Sequence, residues 1–185
     1  MRNPPVEVKL YPDPLLREVA KPVEGFDKAL ADFAAEIIRT MRAGNGLGLA
    51  APQVGVAKRL VIVSPDGQPG HETVMVNPEI LATEGWVEAE EGCLSFPGVY
   101  VRIGRFSRVV ARYQDVTGQA HELQAEGLLA RAVQHEIDHL DGRLLVDRMS
   151  TVQRMAQRRR LRELQRRYEH QFERAEAGTA GTSGT

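Results

Sequence analysis

The chain has 185 residues, enough for one domain with a hydrophobic core and too few for two comfortable ones. Hydrophobic residues make up 42% and charged residues 26%, the ordinary balance of a soluble globular protein. A net charge of −1 excludes a general electrostatic pull toward nucleic acid or membrane and leaves only local patches for such contacts.

The opening segment, MRNPPVEVKLYPDP, has no apolar core of signal-peptide type. No stretch of the chain approaches the ~18 apolar residues of a membrane span. The single cysteine, Cys93, has no internal disulfide partner, which suits a reducing compartment. The expectation is therefore a cytoplasmic protein. From Asp27 to Arg42, Leu30, Phe33, Ala34, Ile37, Ile38 and Met41 recur at helical spacing, with Asp27 as N-cap and Gly44 as stop. A Gly-rich turn region, Gly44 to Gly55, leads into Leu60-Val61-Ile62-Val63, which reads as a buried strand. Ser64 to His71 carries Pro-Asp-Gly and Pro-Gly turn signals and reads as a surface loop. Val74–Val76 and Glu79–Glu84 read as strands broken at Pro78, which donates no ladder hydrogen bond. Arg108–Tyr113 and Gln119–Leu123 flank Asp115-Val116-Thr117-Gly118 as a hairpin. A second helix is predicted from about Glu126 to Leu140. A third starts near Ser150, where Ser150 and Gln153 form a capping box, and packs through Leu161, Leu164, Tyr168 and Phe172. Residues 178–185 are only Gly, Thr, Ser and Ala and are expected to be a disordered tail. Strands grouped around one central helix, with helices at the two ends, predict an α+β fold of mainly antiparallel sheets.

The sharpest chemical signal is Gln134-His135-Glu136-Ile137-Asp138-His139 in the central helix. Histidines four residues apart lie one turn up the same face, so His135 and His139 can offer two imidazoles to one ion. Glu136, beside the first, is placed to act as general base toward a water. A chance match on a solvated helix is the competing reading, but Ile137 and Leu140 rule against a wholly exposed face. Catalytic zinc-type centres commonly take three protein ligands. Downstream, Asp141, Asp147, Glu163, Glu169 and His170 have no familiar spacing for the third. Upstream, Glu91-Gly92-Cys93-Leu94-Ser95 offers Cys93, whose thiol a bound ion would deprotonate. A third block, Gly46-Leu47-Gly48-Leu49-Ala50-Ala51-Pro52-Gln53, lacks the glycine offset of a dinucleotide loop. It reads either as a close-packed turn or as a stretch that lets a substrate backbone approach, with Gln53 as amide donor.

The three blocks together, in this order and spacing, resemble the peptide deformylase family. The resemblance covers about Val8 to Ser150. It implies that Cys93, His135 and His139 hold the metal and that Glu136 is the acid/base. It also implies that Gln53 and the Leu94 N–H form an oxyanion hole, and that Gly48, Leu47 and Leu128 contact the peptide. Ferrous iron is implied in the cell, with zinc, nickel or cobalt as substitutes; the ligand set itself does not select among them. The implied reaction removes the formyl group from the formyl-methionine of nascent polypeptides, with residues 1–176 as one catalytic domain and a monomer expected. Arg131 departs from the pattern: an apolar wall is implied there, so its stem is expected to line the pocket with the guanidinium at the rim.

From 150 to 176 the last helix carries eight arginines (Arg154, Arg158, Arg159, Arg160, Arg162, Arg166, Arg167, Arg174) against four glutamates. This is either a solvated charged face or a contact for ribosomal RNA. Two other readings of the whole chain stand beside the deformylase. One is a peptide-bond metalloprotease, against which the upstream cysteine speaks; the other is a ribosome-binding module with a structural metal, which would need a fourth protein ligand.

Overall fold

The computed structural model describes residues 6–180, with side chains described to residue 170. Helix α1 (Lys28–Ala43) starts where Asp27 accepts a hydrogen bond from the Leu30 N–H and ends at Gly44. Strand β1 (Gly48–Ala50) follows, then a short 3-10 turn over Ala51–Val54 and strand β2 (Leu60–Val63). Strand β3 (Thr73–Glu84) is continuous rather than split. The irregularity expected at Pro78 appears as a register shift, with Asn77 held at φ 51°. The Asn77 side chain makes that conformation affordable by accepting from the Val23 N–H and donating to the Val23 carbonyl.

Strands β4 (Val87–Glu91) and β5 (Val101–Arg105) pair as a separate two-stranded sheet. Strands β6 (Arg108–Gln114) and β7 (Ala120–Glu126) form the predicted hairpin. Helix α2 (Gly127–Leu140), the single turn α3 (Leu145–Arg148) and the long α4 (Thr151–Ala180) complete the chain. Ser150 and Gln153 cap α4 reciprocally. That helix runs beyond Glu176, where the sequence reading ends it, and the rest of the expected tail, 181–185, lies outside the described residues.

The main sheet has the order β1-β2-β3-β6-β7, antiparallel throughout. Strand β2 shows why both its faces are apolar. Leu60 and Ile62 pack with Ile37 and Met41 of α1, while Val61 and Val63 pack with Ala130, Val133 and Leu140 of α2. Alternate side chains point to opposite faces, so a helix covers each side of this strand. A third cluster joins β5 to the end of the chain through Phe96, Val101, Ile103, Leu144 and Leu164. Helix α2 thus packs on one face of the sheet, against β1, β2 and β7, and β1 and β7 are the sheet's two edges.

Candidate metal centre

Helix α2 carries His135 and His139 one turn apart, with ring centroids 5.0 Å apart. Cys93 comes from the turn just after β4, and its Sγ lies 3.3 Å from His139 Nε2. One ligand atom from each of the three falls within 4.8 Å of the others. His135 and Cys93 line a cavity of about 510 Å³, whereas His139 is buried at 1% exposure and is not part of its lining. The remaining sequence-predicted site residues, Leu47, Gly48, Gln53, Leu94, Leu128 and Glu136, all line that cavity. The downstream candidates Asp141, Asp147, Glu163 and Glu169 are not part of this group.

Burial opposes charge on His135, but Cys93 and Glu91 outweigh it and hold its pKa well above the ordinary value. Burial pushes His139 well below its ordinary value, with positive His135 adding to the effect. The His139 lone pair therefore stays available, and a cation would take the place of the proton on His135. Two nitrogens and one sulfur at this separation suit a divalent first-row ion, so the donor set fits.

Glu136 is 4% exposed, and its Oε2 has no hydrogen-bond partner among the described residues. Burial raises its pKa to about 7 against the pull of His135 and Arg105. A side chain at position 48 would place its Cβ 2.3 Å from Glu136 Oε1, so glycine is required for the carboxylate to sit there. Gly44 and Gly46 make room in the same way for the Leu94 side chain. Gln53 is fixed by the Ala50 N–H at 2.8 Å, and its Nε2 donates to Ser95 Oγ at 3.1 Å and lies 3.5 Å from Cys93 Sγ. Among the described residues, the Leu94 N–H donates to no protein acceptor.

The sequence reading missed what holds His135, whereas His139 Nδ1 is buried without a partner among the described residues. Glu91 accepts from His135 Nδ1 at 3.1 Å, from Arg105 at 2.7 and 3.0 Å, and from Arg131 at 2.7 Å. Those bonds outweigh the burial of its carboxyl and lower its pKa to about 2. Arg105 also donates to Asp138 at 2.8 Å, and Arg148 pairs with the same carboxylate. Glu91 and Asp138 both lie inside the motifs that carry Cys93 and the histidines; a charged residue there with no chemical task was the available signal. Arg131 is a correction. Its guanidinium is not at the pocket rim but buried at 6% exposure, held by Glu91 and by the carbonyls of Ala89 and Ile103. Strand carbonyls and a carboxylate together satisfy a guanidinium with five donors and keep it out of solvent.

Two imidazoles from α2 and a sulfur from the turn after β4, with a buried carboxylate alongside and an open cavity in front, are a group that could hold a metal ion, of the kind metallohydrolases use. The sequence profile of the polypeptide deformylase family matches residues 5–155. A peptide deformylase of Thermodesulfovibrio yellowstonii is similar, 48% identical over 151 residues that cover 80% of this chain and 92% of that protein. The crystal structure of a peptide deformylase from Legionella pneumophila is similar at a TM-score of 0.84 and 42% identity, covering 90% of this chain and 98% of that one. A peptide deformylase from Plasmodium falciparum is similar at a TM-score of 0.85 and 34% identity, covering 89% and 98%. The chain belongs to the polypeptide deformylase family. It is therefore a hydrolase acting on the N-formyl amide of new polypeptides, which decides against the peptidase and the non-enzymatic readings.

Proposed function

We propose that Cys93, His135 and His139 hold one divalent metal ion and that Glu136 is the general acid and base of deformylation. The substrate is the N-terminal formyl-methionine of a nascent polypeptide, and the products are formate and a free amine. The observation that carries this reading is the unpartnered, buried Glu136 carboxylate next to the convergent Cys-His-His set. When bound, the ion supplies Lewis-acid polarisation of the formyl carbonyl and activation of a water. Glu136 accepts a proton as that water attacks the formyl carbon, and it delivers the proton to the methionine nitrogen as the C–N bond breaks.

Gln53 Nε2 and the Leu94 N–H are the donors for the developing oxyanion, each worth about 3 kcal/mol when removed. The free edge of β1 takes the extended peptide by strand addition at Leu47 and Gly48. Leu128, 52% exposed at the cavity mouth, packs against the methionine side chain. Replacing Glu136 with Ala and assaying a formyl-methionyl tripeptide tests the assignment, with metal content followed in parallel. Near-wild-type turnover with metal bound would refute it.

The native ion in this reading is ferrous iron in the cytoplasm, with zinc, nickel or cobalt as substitutes, and the chain works as a monomeric catalytic domain over 1–176. No helix among the described residues is long and apolar enough to cross a membrane. The C-terminal helix is read as a ribosome contact. Arg154, Arg158, Arg159, Arg160, Arg162, Arg166 and Arg167 are all exposed, and of these Arg160 and Arg167 pair with Glu163. Such a contact weakens steeply with salt; salt-insensitive association with ribosomes would contradict it.

A further inference from the structure

A second cavity, of about 600 Å³, lies against a different face of α2, where Gln134, Ile137 and Asp138 point rather than His135 and Glu136. Its volume falls within the range of small-molecule sites. One lip is aromatic. Trp86 is 63% exposed, and Phe106 meets it edge-on with centroids 5.4 Å apart. The indole lies over Gly104, so close that a Cβ there would come within 2.3 Å of it. Gln134 holds Phe106 in place through both backbone groups, accepting from its N–H at 3.1 Å and donating to its carbonyl at 2.8 Å. A large aromatic face left this exposed to solvent gains by stacking on a ligand.

The same cavity is lined by four arginines, Arg59, Arg105, Arg143 and Arg148. Of the carboxylates lining the cavity, Asp141 is paired with Arg59, Asp138 with Arg105 and Arg148, and Glu79 with Arg112. Arg143 also lines it and makes no side-chain hydrogen bond or ion pair among the described residues. Arg148 shares its only carboxylate with Arg105 and keeps 40% of its side chain exposed. Four guanidinium groups against three carboxylates leave the lining with one positive charge in excess, on Arg143, with the part-exposed Arg148 in the same cavity as the aromatic lip. Guanidinium forks match phosphate oxygens, and a doubly charged phosphate answers two of them where a carboxylate answers one. We propose that this cavity binds a small aromatic phosphate monoester of the nucleoside-monophosphate class, with the base on Trp86 and the phosphate at Arg143 and Arg148.

Trp86 is the only tryptophan of the chain, so its fluorescence reports on this site alone and needs no activity. Titrating the intact metal-loaded protein with AMP is expected to change the emission saturably, with half-saturation at about 1 mM or below. Arg143→Gln and Arg148→Gln, each checked for an unchanged melting temperature or compared with the other if one unfolds, are expected to weaken binding about tenfold. Adenosine and inorganic phosphate alone are each expected to bind more weakly than AMP. No saturable change by 5 to 10 times that concentration, or no loss in either variant, overturns the proposal. Phosphate binding as tightly as AMP would mean an adventitious ion only. Adenosine binding as tightly would reduce the site to apolar stacking, and a short peptide with an aromatic C-terminus binding more tightly would assign it to another class. Each of these also overturns it, whatever the outcome of the deformylation assay.

Discussion

Replacing Glu91 with Gln removes one negative charge and keeps the shape of the side chain. The carboxylate accepts four hydrogen bonds, two from Arg105, one from Arg131 and one from His135. An amide has one oxygen, so its NH₂ would be turned against guanidinium or imidazolium donors. Arg105 would keep Asp138, but Arg131 would keep only strand carbonyls. Leaving a buried charge without its partner costs about 3–5 kcal/mol. For a chain of this length that is a fall of roughly 10 °C in melting temperature. His135 also loses the acceptor that orients its ring, which lowers metal affinity about 10–100-fold. Arg131→Met should cost less, because Glu91 still has Arg105 and His135. The double variant should be more stable than the sum of the two losses, since the orphaned guanidinium is gone. Differential scanning calorimetry and metal titration of the four proteins measure all of this. A Glu91→Gln variant melting within about 1 °C of wild type, or strict additivity of the pair, would refute the reasoning.

Gly48→Ala places a methyl within 2.3 Å of Glu136 Oε1 and should lower deformylation at least about 100-fold while metal stoichiometry stays unchanged; both are read in one assay. Glu91 has its pKa lowered from 4.5 to about 2, so its stabilisation is complete above pH 4.5 and is lost as pH falls through about 2. Denaturant titrations of metal-free protein over that window should therefore show a steeper acid loss in wild type than in Glu91→Gln. Removing Gln53 by substitution with Ala should lower turnover by 10²–10³ with little change in metal content, if its amide serves the oxyanion. Thiolate ligation of ferrous iron predicts loss of activity in air, restored by exchange to nickel or zinc in proportion to metal bound.

The elements with a hydrophobic period were legible from the residues. Asp27 and Gly44 bounded α1 because capping chemistry is local, and Leu60–Val63 announced a strand buried on both faces. Strand β1 hid in a glycine run, where three residues give no alternation to read. Strand β4 hid because Val87–Glu91 is rich in glutamate and lies mostly exposed, and β5 offers only Val101 and Ile103 as apolar residues on its buried face. His135 and His139 were legible through helical spacing, whereas the place of Cys93 depended on a block 42 residues upstream of His135 being folded beside it. Arg131 was misplaced because an arginine is buried only when its partners are known, and its partner Glu91 stands 40 residues earlier. Long-range charge pairing leaves no periodic trace in a sequence.

Formate release from a formyl-methionyl tripeptide by protein loaded anaerobically with ferrous iron, compared with Cys93→Ala under the same loading, tests the central claim most directly. One ion per chain and rapid formate release are expected in the wild type, and loss of both together in the variant. Full metal occupancy without Cys93, or formate release from metal-free protein, would contradict it.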